Sequence, residues 1–314
     1  MWETFETVFS TMMGMLICLA IGFILRRFHL EPGNTATVLS KLELYVLMPA
    51  LTLSSFIKNC SLQTLGENSD LLLYGLLCAA VAFVLGKGLG RFFSKEQYER
   101  KIYTYSLICA NFGYIGKPLV AFLLGSQGVY EFDILSLGMS VLVYGYLVPD
   151  LIPEGKESKD GWLRRLLSPI TVAMLLGAFL GVTRWSRYLP GFVLDTMNNL
   201  SGCVGPVAMI LTGFVIGGFR LPEILKIKRV YVVSFLRLLI LPLVMVALVW
   251  LLGGDKNACL LTMICFSSAL GLNTVVIPAT HGGDTHTGAS MALISSVGCV
   301  VTLPLLYAFL NMIL

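Results

Sequence analysis

The chain has 314 residues, of which 56% are apolar and only 13% charged, whereas soluble domains run near about 45–50% apolar and about 25% charged. A mean hydropathy of +0.83 leaves too few polar side chains to coat a buried core. The composition therefore excludes an ordinary soluble domain and points to a chain whose apolar surface faces lipid. The net charge of +4 does not indicate nucleic acid, because the basic residues fall between apolar runs without aromatic interleaving on a polar face.

Ten apolar runs succeed one another, at 7–25, 39–57, 71–93, 102–124, 132–152, 169–185, 197–219, 230–252, 258–281 and 288–314. Most approach the twenty or so residues a helix needs to cross a hydrocarbon layer of about 30 Å. The start is acidic (Glu3, Glu6) rather than basic, so the first run is expected to be a span of the mature chain and not a cleaved signal. Ten spans put both termini on one side. The first, third, fifth and seventh connections, with Arg91 at the end of its span, carry fourteen Lys and Arg, while the other side holds only Lys58, Arg184, Arg187 and Lys256. By the positive-inside rule both termini face out, across the plasma membrane.

The most polar interruption, 153–165, separates two sets of five spans, which must then be inverted relative to each other. Pro49 and Pro206 are 157 positions apart, Pro118 and Pro278 are 160 apart, and Asn111 and Asn273 are 162 apart. These offsets, in equivalent spans, point to an inverted repeat: 1–153, a cytoplasmic linker 154–166, and 167–314. Such an architecture is typical of secondary transporters.

Span four holds Asn111-Phe112-Gly113-Tyr114-Ile115-Gly116-Lys117-Pro118. Pro118 removes a backbone donor and crowds the preceding turn, and Gly113 and Gly116 ease irregular backbone, so the span should break near mid-membrane. Broken backbone at that depth needs protein or a watery cavity around it. The half-helix after the break would offer free N–H groups and a partial positive charge to an anion. Span nine repeats the pattern with Gly271, Asn273 and Pro278, and the two breaks are expected to cross.

These residues resemble the auxin efflux carrier family, which includes plant auxin exporters and bacterial relatives associated with small carboxylates. The resemblance rests on N-x(4)-G-x-P, here Asn111, Gly116 and Pro118. It rests too on Pro278-Ala279-Thr280-His281-Gly282-Gly283-Asp284, followed by Ser290, Ser295 and Thr302-Leu303-Pro304. It implies a ten-helix carrier with a scaffold domain and a transport domain, and a substrate bound beside the crossover at Asn111, Pro118, Asn273 and Pro278. Lys117 departs from the pattern, since the family usually has an aliphatic residue before that proline.

Ionisable residues inside spans are costly, so each needs an account. Lys41, Lys87 and Arg237 are close to cytoplasmic span ends and are read as snorkelling. Lys117 lies mid-span, and its ammonium should meet either the substrate or a carboxylate such as Glu43. Glu43 is read as that partner, as a proton carrier, or as a group facing the headgroups. The eight cysteines form no C-x-x-C and read as small core residues; Cys60 and Cys259 are the one pair whose span ends would allow a disulfide. The glycines in H-G-G-D-T-H (281–286) look like a turn, so no metal site is expected there. No phosphate-binding loop and no G-x-S-x-G occurs, so neither ATP, nor a cofactor, nor catalysis is expected.

The reading is an all-α integral membrane carrier of ten helices in two inverted five-helix repeats, with helices four and nine broken and crossing. It would move a small organic anion by alternating access. Its rivals are a sodium-coupled bile-acid-type symporter, a channel and an intramembrane enzyme. Coupling to a proton or to sodium and assembly as a homodimer are left open.

Overall fold

The protein is described by a computed structural model covering residues 2–30, 32–153, 168–220, 222, 225–271 and 273–314. The linker 154–166, with Lys156, Lys159, Arg164 and Arg165, lies outside the described residues, as does Leu272. Every regular element among the described residues is a helix.

In chain order the helices are α1 (Trp2–Arg27), α2 (Thr35–Leu42), α3 (Met48–Asn59), α4 (Leu62–Glu67), α5 (Ser69–Phe93), α6 (Gln97–Ile108), α7 (Lys117–Leu142), α8 (Val148–Asp150), α9 (Pro169–Val182), α10 (Gly191–Gly217), α11 (Lys228–Phe235), α12 (Leu241–Leu251), α13 (Lys256–Ser267), α14 (Asn273–His281) and α15 (His286–Ile313). Their starts carry local signals. Ser61 and Thr64 close a capping box on α4, Glu96 accepts from the N–H groups of Tyr98 and Glu99, and Asp255 accepts from that of Ala258. Ser168 caps α9, whose first residue is Pro169.

Four wide π-helical turns interrupt the α-helices, at Glu43–Leu47, Phe112–Gly116, Val143–Leu147 and Leu236–Ile240. Each ends two residues before a proline: Pro49, Pro118, Pro149 and Pro242. A proline ring crowds the carbonyl four residues back and has no N–H to offer it. Widening the preceding turn moves that carbonyl aside, and the residue before each proline bonds five residues back instead, as Lys117 does to Phe112.

Among the described residues, seven stretches are long and apolar enough to cross a membrane, and two shorter apolar helices, Pro169–Val182 and Lys256–Ser267, accompany them. One of the seven, Gln97–Asp150, holds two predicted spans. These separate at Gly125, where φ is 65° and ψ is −159°, a region open essentially to glycine alone. Lys117 and Asp133 are sixteen positions apart and would stand about 24 Å apart on a straight helix. They are in contact, so the two arms of α7 fold back on each other at Gly125.

The helices pack through small residues, as they must where lipid supplies little hydrophobic drive between them. α1 lies along α10 so closely that a Cβ on Gly22 would strike the backbone of Ile210. On α5, Gly75, Cys78, Ala79 and Ala82 are buried while Leu72, Leu73, Leu76 and Val84 are exposed. Large apolar groups outside and small ones inside invert the soluble pattern.

Two expectations need correction, and the disulfide that the sequence left open is not formed. The breaks come before the prolines and not at them: α6 ends at Ile108, where Cys109 turns extended (φ −108°, ψ 130°), with a π turn taking up Pro118 beyond it, and α13 ends at Ser267, where Ser268 turns extended as well (φ −60°, ψ 150°). Gly113 and Gly116 therefore sit in the wide turn and Pro278 sits inside α14, away from the discontinuities. Cys60 and Cys259 carry free thiols.

Candidate binding site between the two helix breaks

The two breaks lie side by side. The backbone N–H of Asn111 donates to the carbonyl of Ala269 at 2.6 Å, and that of Leu270 donates to Ser295 Oγ at 2.9 Å. An asparagine stands at the restart of each helix. Asn111 Oδ1 accepts from the N–H of Tyr114 at 3.3 Å and so caps the π turn. Asn273, the first residue of α14, donates through Nδ2 to Tyr105 Oη at 2.8 Å.

The ends of α6 and α13 leave carbonyls without helical partners. Arg237 satisfies them: Nη1 donates to the carbonyls of Ser106 and Cys109 at 2.8 Å each, and Nη2 to those of Ser268 at 2.7 Å and Ala269 at 3.4 Å. The snorkelling expectation for Arg237 is thus wrong. It is 2% exposed, and its fixed fork of donors suits a cluster of carbonyls at the negative ends of two helices. Lys41 is exposed, and Lys87 is half-exposed and paired with Asp150 at 3.5 Å.

A cavity of about 170 Å³ opens beside the breaks. Asn111, Gly113, Lys117, Gly271 and Asn273 line it; Gly116, Pro118 and Pro278 do not. Gly116 instead gives room to Phe132 and Ser268, and Pro118 packs against Gly205. The volume would hold about six water molecules at about 30 Å³ each, which is the size of a small metabolite. Its walls also include Met48, Met174, Tyr105 and Tyr144 and the hydroxyls of Thr52 and Ser136.

Lys117 Nζ lies 2.5 Å from Asp133 Oδ1 and donates to Thr52 Oγ1 at 3.0 Å, and both charged residues are buried. Its carboxylate partner is thus Asp133 and not Glu43. Glu43 is fully buried in the first wide turn, close to Tyr114, and both its oxygens are without a partner among the described residues. It does not face the headgroups and does not line the cavity. Asp133 escaped the sequence reading, although an acid inside an apolar run carries the same signal that singled out Lys117. What the sequence hides is the fold-back at Gly125 that joins them.

The arrangement offers an anion one ammonium and, at Phe112 and Gly113, the positively polarised start of the helix that runs on into α7, and offers a donor or a proton the free Oδ2 of Asp133, which is buried without a partner among the described residues. Comparison with known proteins agrees with a transport role. The chain is 24% identical over 302 residues to an uncharacterized transporter of Methanothermobacter thermautotrophicus, covering 94% of this chain and 96% of that one. It is 22% identical over 302 residues to an uncharacterized transporter of Methanocaldococcus jannaschii, covering 93% and 95%. The profile of the membrane transport protein family matches residues 7–153 and 156–307. Buried charge around a cavity between two broken helices, apolar spans and a match along nearly the whole length agree, and the chain belongs to this family of integral membrane transporters, the auxin efflux carrier family.

Proposed function

We propose that the protein is a secondary carrier that moves a small organic carboxylate by alternating access, binding it in the cavity beside the two breaks. In this reading 1–153 and 167–314 are inverted five-helix repeats, the breaks after α6 and α13 are the centre of a crossover, and both termini face out. The observation that carries it is the Lys117 ammonium, buried on the wall of a cavity of about 170 Å³ that also reaches Phe112 and Gly113 at the helix restart. A substrate carboxylate there gains a charge-assisted hydrogen bond and the helix-start dipole together. Arg237 weighs against the sodium-coupled rival, because the carbonyl ends that could hold a metal cation already hold a guanidinium.

A thermal-shift screen of the purified chain against acetate, pyruvate, malonate and malate tests the reading, since a bound ligand raises the melting temperature. Lys117→Gln should weaken the binding carboxylate by about 1.5–3 kcal/mol, roughly ten- to a hundredfold. Because that change also strands Asp133, the double variant Lys117→Gln/Asp133→Asn is measured beside it. Recovered stability without recovered affinity supports a substrate contact; recovery of both makes the lysine a structural partner of Asp133 and removes the anion assignment.

A further inference from the structure

The cavity holds a positive and a negative charge already joined, so an arriving carboxylate must compete with Asp133 for Lys117. The competition is unequal. Asp133 is fixed on the facing arm of the α7 hairpin, and its Oδ1 already holds the ammonium. An anion that displaced it would leave a second uncompensated negative charge in a buried site, a cost of several kcal/mol. Protonating the displaced group removes that cost. We propose that Asp133 is the proton-coupling site of this carrier and that one proton enters with each carboxylate. The proposal rests on the anion reading above and adds the coupling ion to it.

The step balances in charge and atoms. A proton from water adds to the Asp133 carboxylate, and the ion pair with Lys117 opens. The Lys117 ammonium keeps its three protons and donates to the substrate carboxylate. After release on the other side, the Asp133 proton leaves to water and the ion pair closes again. With a monocarboxylate, site and cargo together stay neutral, which is the condition for moving a buried group across a low-dielectric region; a dicarboxylate leaves one negative charge.

The surroundings favour Asp133 for this role. Lys117 is its one charged neighbour of opposite sign among the described residues, and the Thr52 hydroxyl of α3 is beside both. From α6 and the wide turns come Tyr105, Cys109, Tyr114 and Tyr144, all neutral groups on the same cavity. The buried titratable groups of α5 and α13, which pack along α7, are the neutral Tyr74, Cys78, Cys259 and Cys265. Glu131, two positions away, is bound by the amides of Gln127 and Asn257. Glu43 approaches Tyr114 but is off the cavity wall. Asp133 is the acid that both lines the cavity and keeps an oxygen free, Oδ2, to take a proton.

The test uses the purified full chain with acetate, pyruvate, malonate and malate, in weakly buffered solution containing a pH-indicator dye. The wild type is expected to take up one proton per carboxylate bound. Its dissociation constant should rise about tenfold per pH unit above the Asp133 transition, because binding draws on the protonated form. Asp133→Asn is expected to bind with one affinity across the same range and to take up no proton. Carboxylate binding without proton uptake by the wild type overturns the proposal and leaves the anion reading standing. Binding of none of the four anions at any pH overturns the anion reading, and the coupling falls with it. If Asp133→Asn does not fold, proton uptake by the wild type decides alone.

Discussion

The main-chain N–H of Asn111 meets the carbonyl of Ala269 at 2.6 Å, so the break after α6 is joined directly to the break after α13 by backbone. Neither side chain is needed for that bond. Substitutions at the breaks therefore act through the groups around this link, and Arg237 surrounds it most closely, with donors to carbonyls on both sides.

Arg237→Met is expected to be strongly destabilising and to abolish transport. It would orphan carbonyls at two buried helix ends, each worth roughly 1–3 kcal/mol when left without a partner. Arg237→Lys should fall between, since an ammonium cannot reproduce the planar fork that spans both ends. Melting of the detergent-solubilised variants checks the order. Wild-type stability in the methionine variant would show that the clamp is ornamental.

Uptake into proteoliposomes is expected to be the same in sodium and in choline media. The guanidinium occupies the negative ends of α6 and α13, where a coupling cation would otherwise be stabilised. A transport rate that rises steeply with sodium would contradict this.

Asn273→Leu should abolish transport, while Tyr105→Phe should only reduce it. The tyrosine change removes one neutral hydrogen bond, about 0.5–1.5 kcal/mol, and keeps the ring on the cavity wall. The leucine removes the amide at the restart of α14, where freed backbone groups need partners. Initial uptake rates normalised to surface expression separate the two.

Gly125→Ala is expected to cost about 1–3 kcal/mol, purely as backbone strain. A Cβ there would meet nothing within 4 Å, so no clash contributes, and φ of 65° with ψ of −159° does. Gly14→Ala, also in open space but in a regular helix, should be neutral or slightly stabilising. Equal melting temperatures for the two variants would mean that the hairpin tolerates another conformation.

Much of the fold was legible because lipid imposes a simple rule: apolar runs of spanning length must become helices with every backbone group bonded. The helix discontinuities were legible as well, from Pro118 and Pro278 with their asparagines, but not their positions. A proline fixes where a helix is disturbed but not where it stops: a π turn takes up Pro118, Pro278 sits inside α14, and both helices stop several residues earlier. Lys117 announced that it needed a partner. Asp133 could not be matched to it from sequence distance, since the contact depends on one glycine with a backbone that the other residue types avoid. Arg237 was misread for a related reason: position along a span measures depth only when the side chain points to the lipid, and this one points to two helix ends.

The four wide turns make the chain sensitive to changes of length at particular places. Each adds one extra residue to the winding, within a helix or, at Phe112–Gly116, at its restart, and the helix beyond it is rotated by about 100° relative to one without it. Removing a single residue from Phe112–Gly116 would restore ordinary winding and swing Lys117 away from Asp133 and from the cavity, although every chemical group at the site would still be present. At these places the reading frame of the helix, more than the identity of any one side chain, determines which face of the chain the cargo meets.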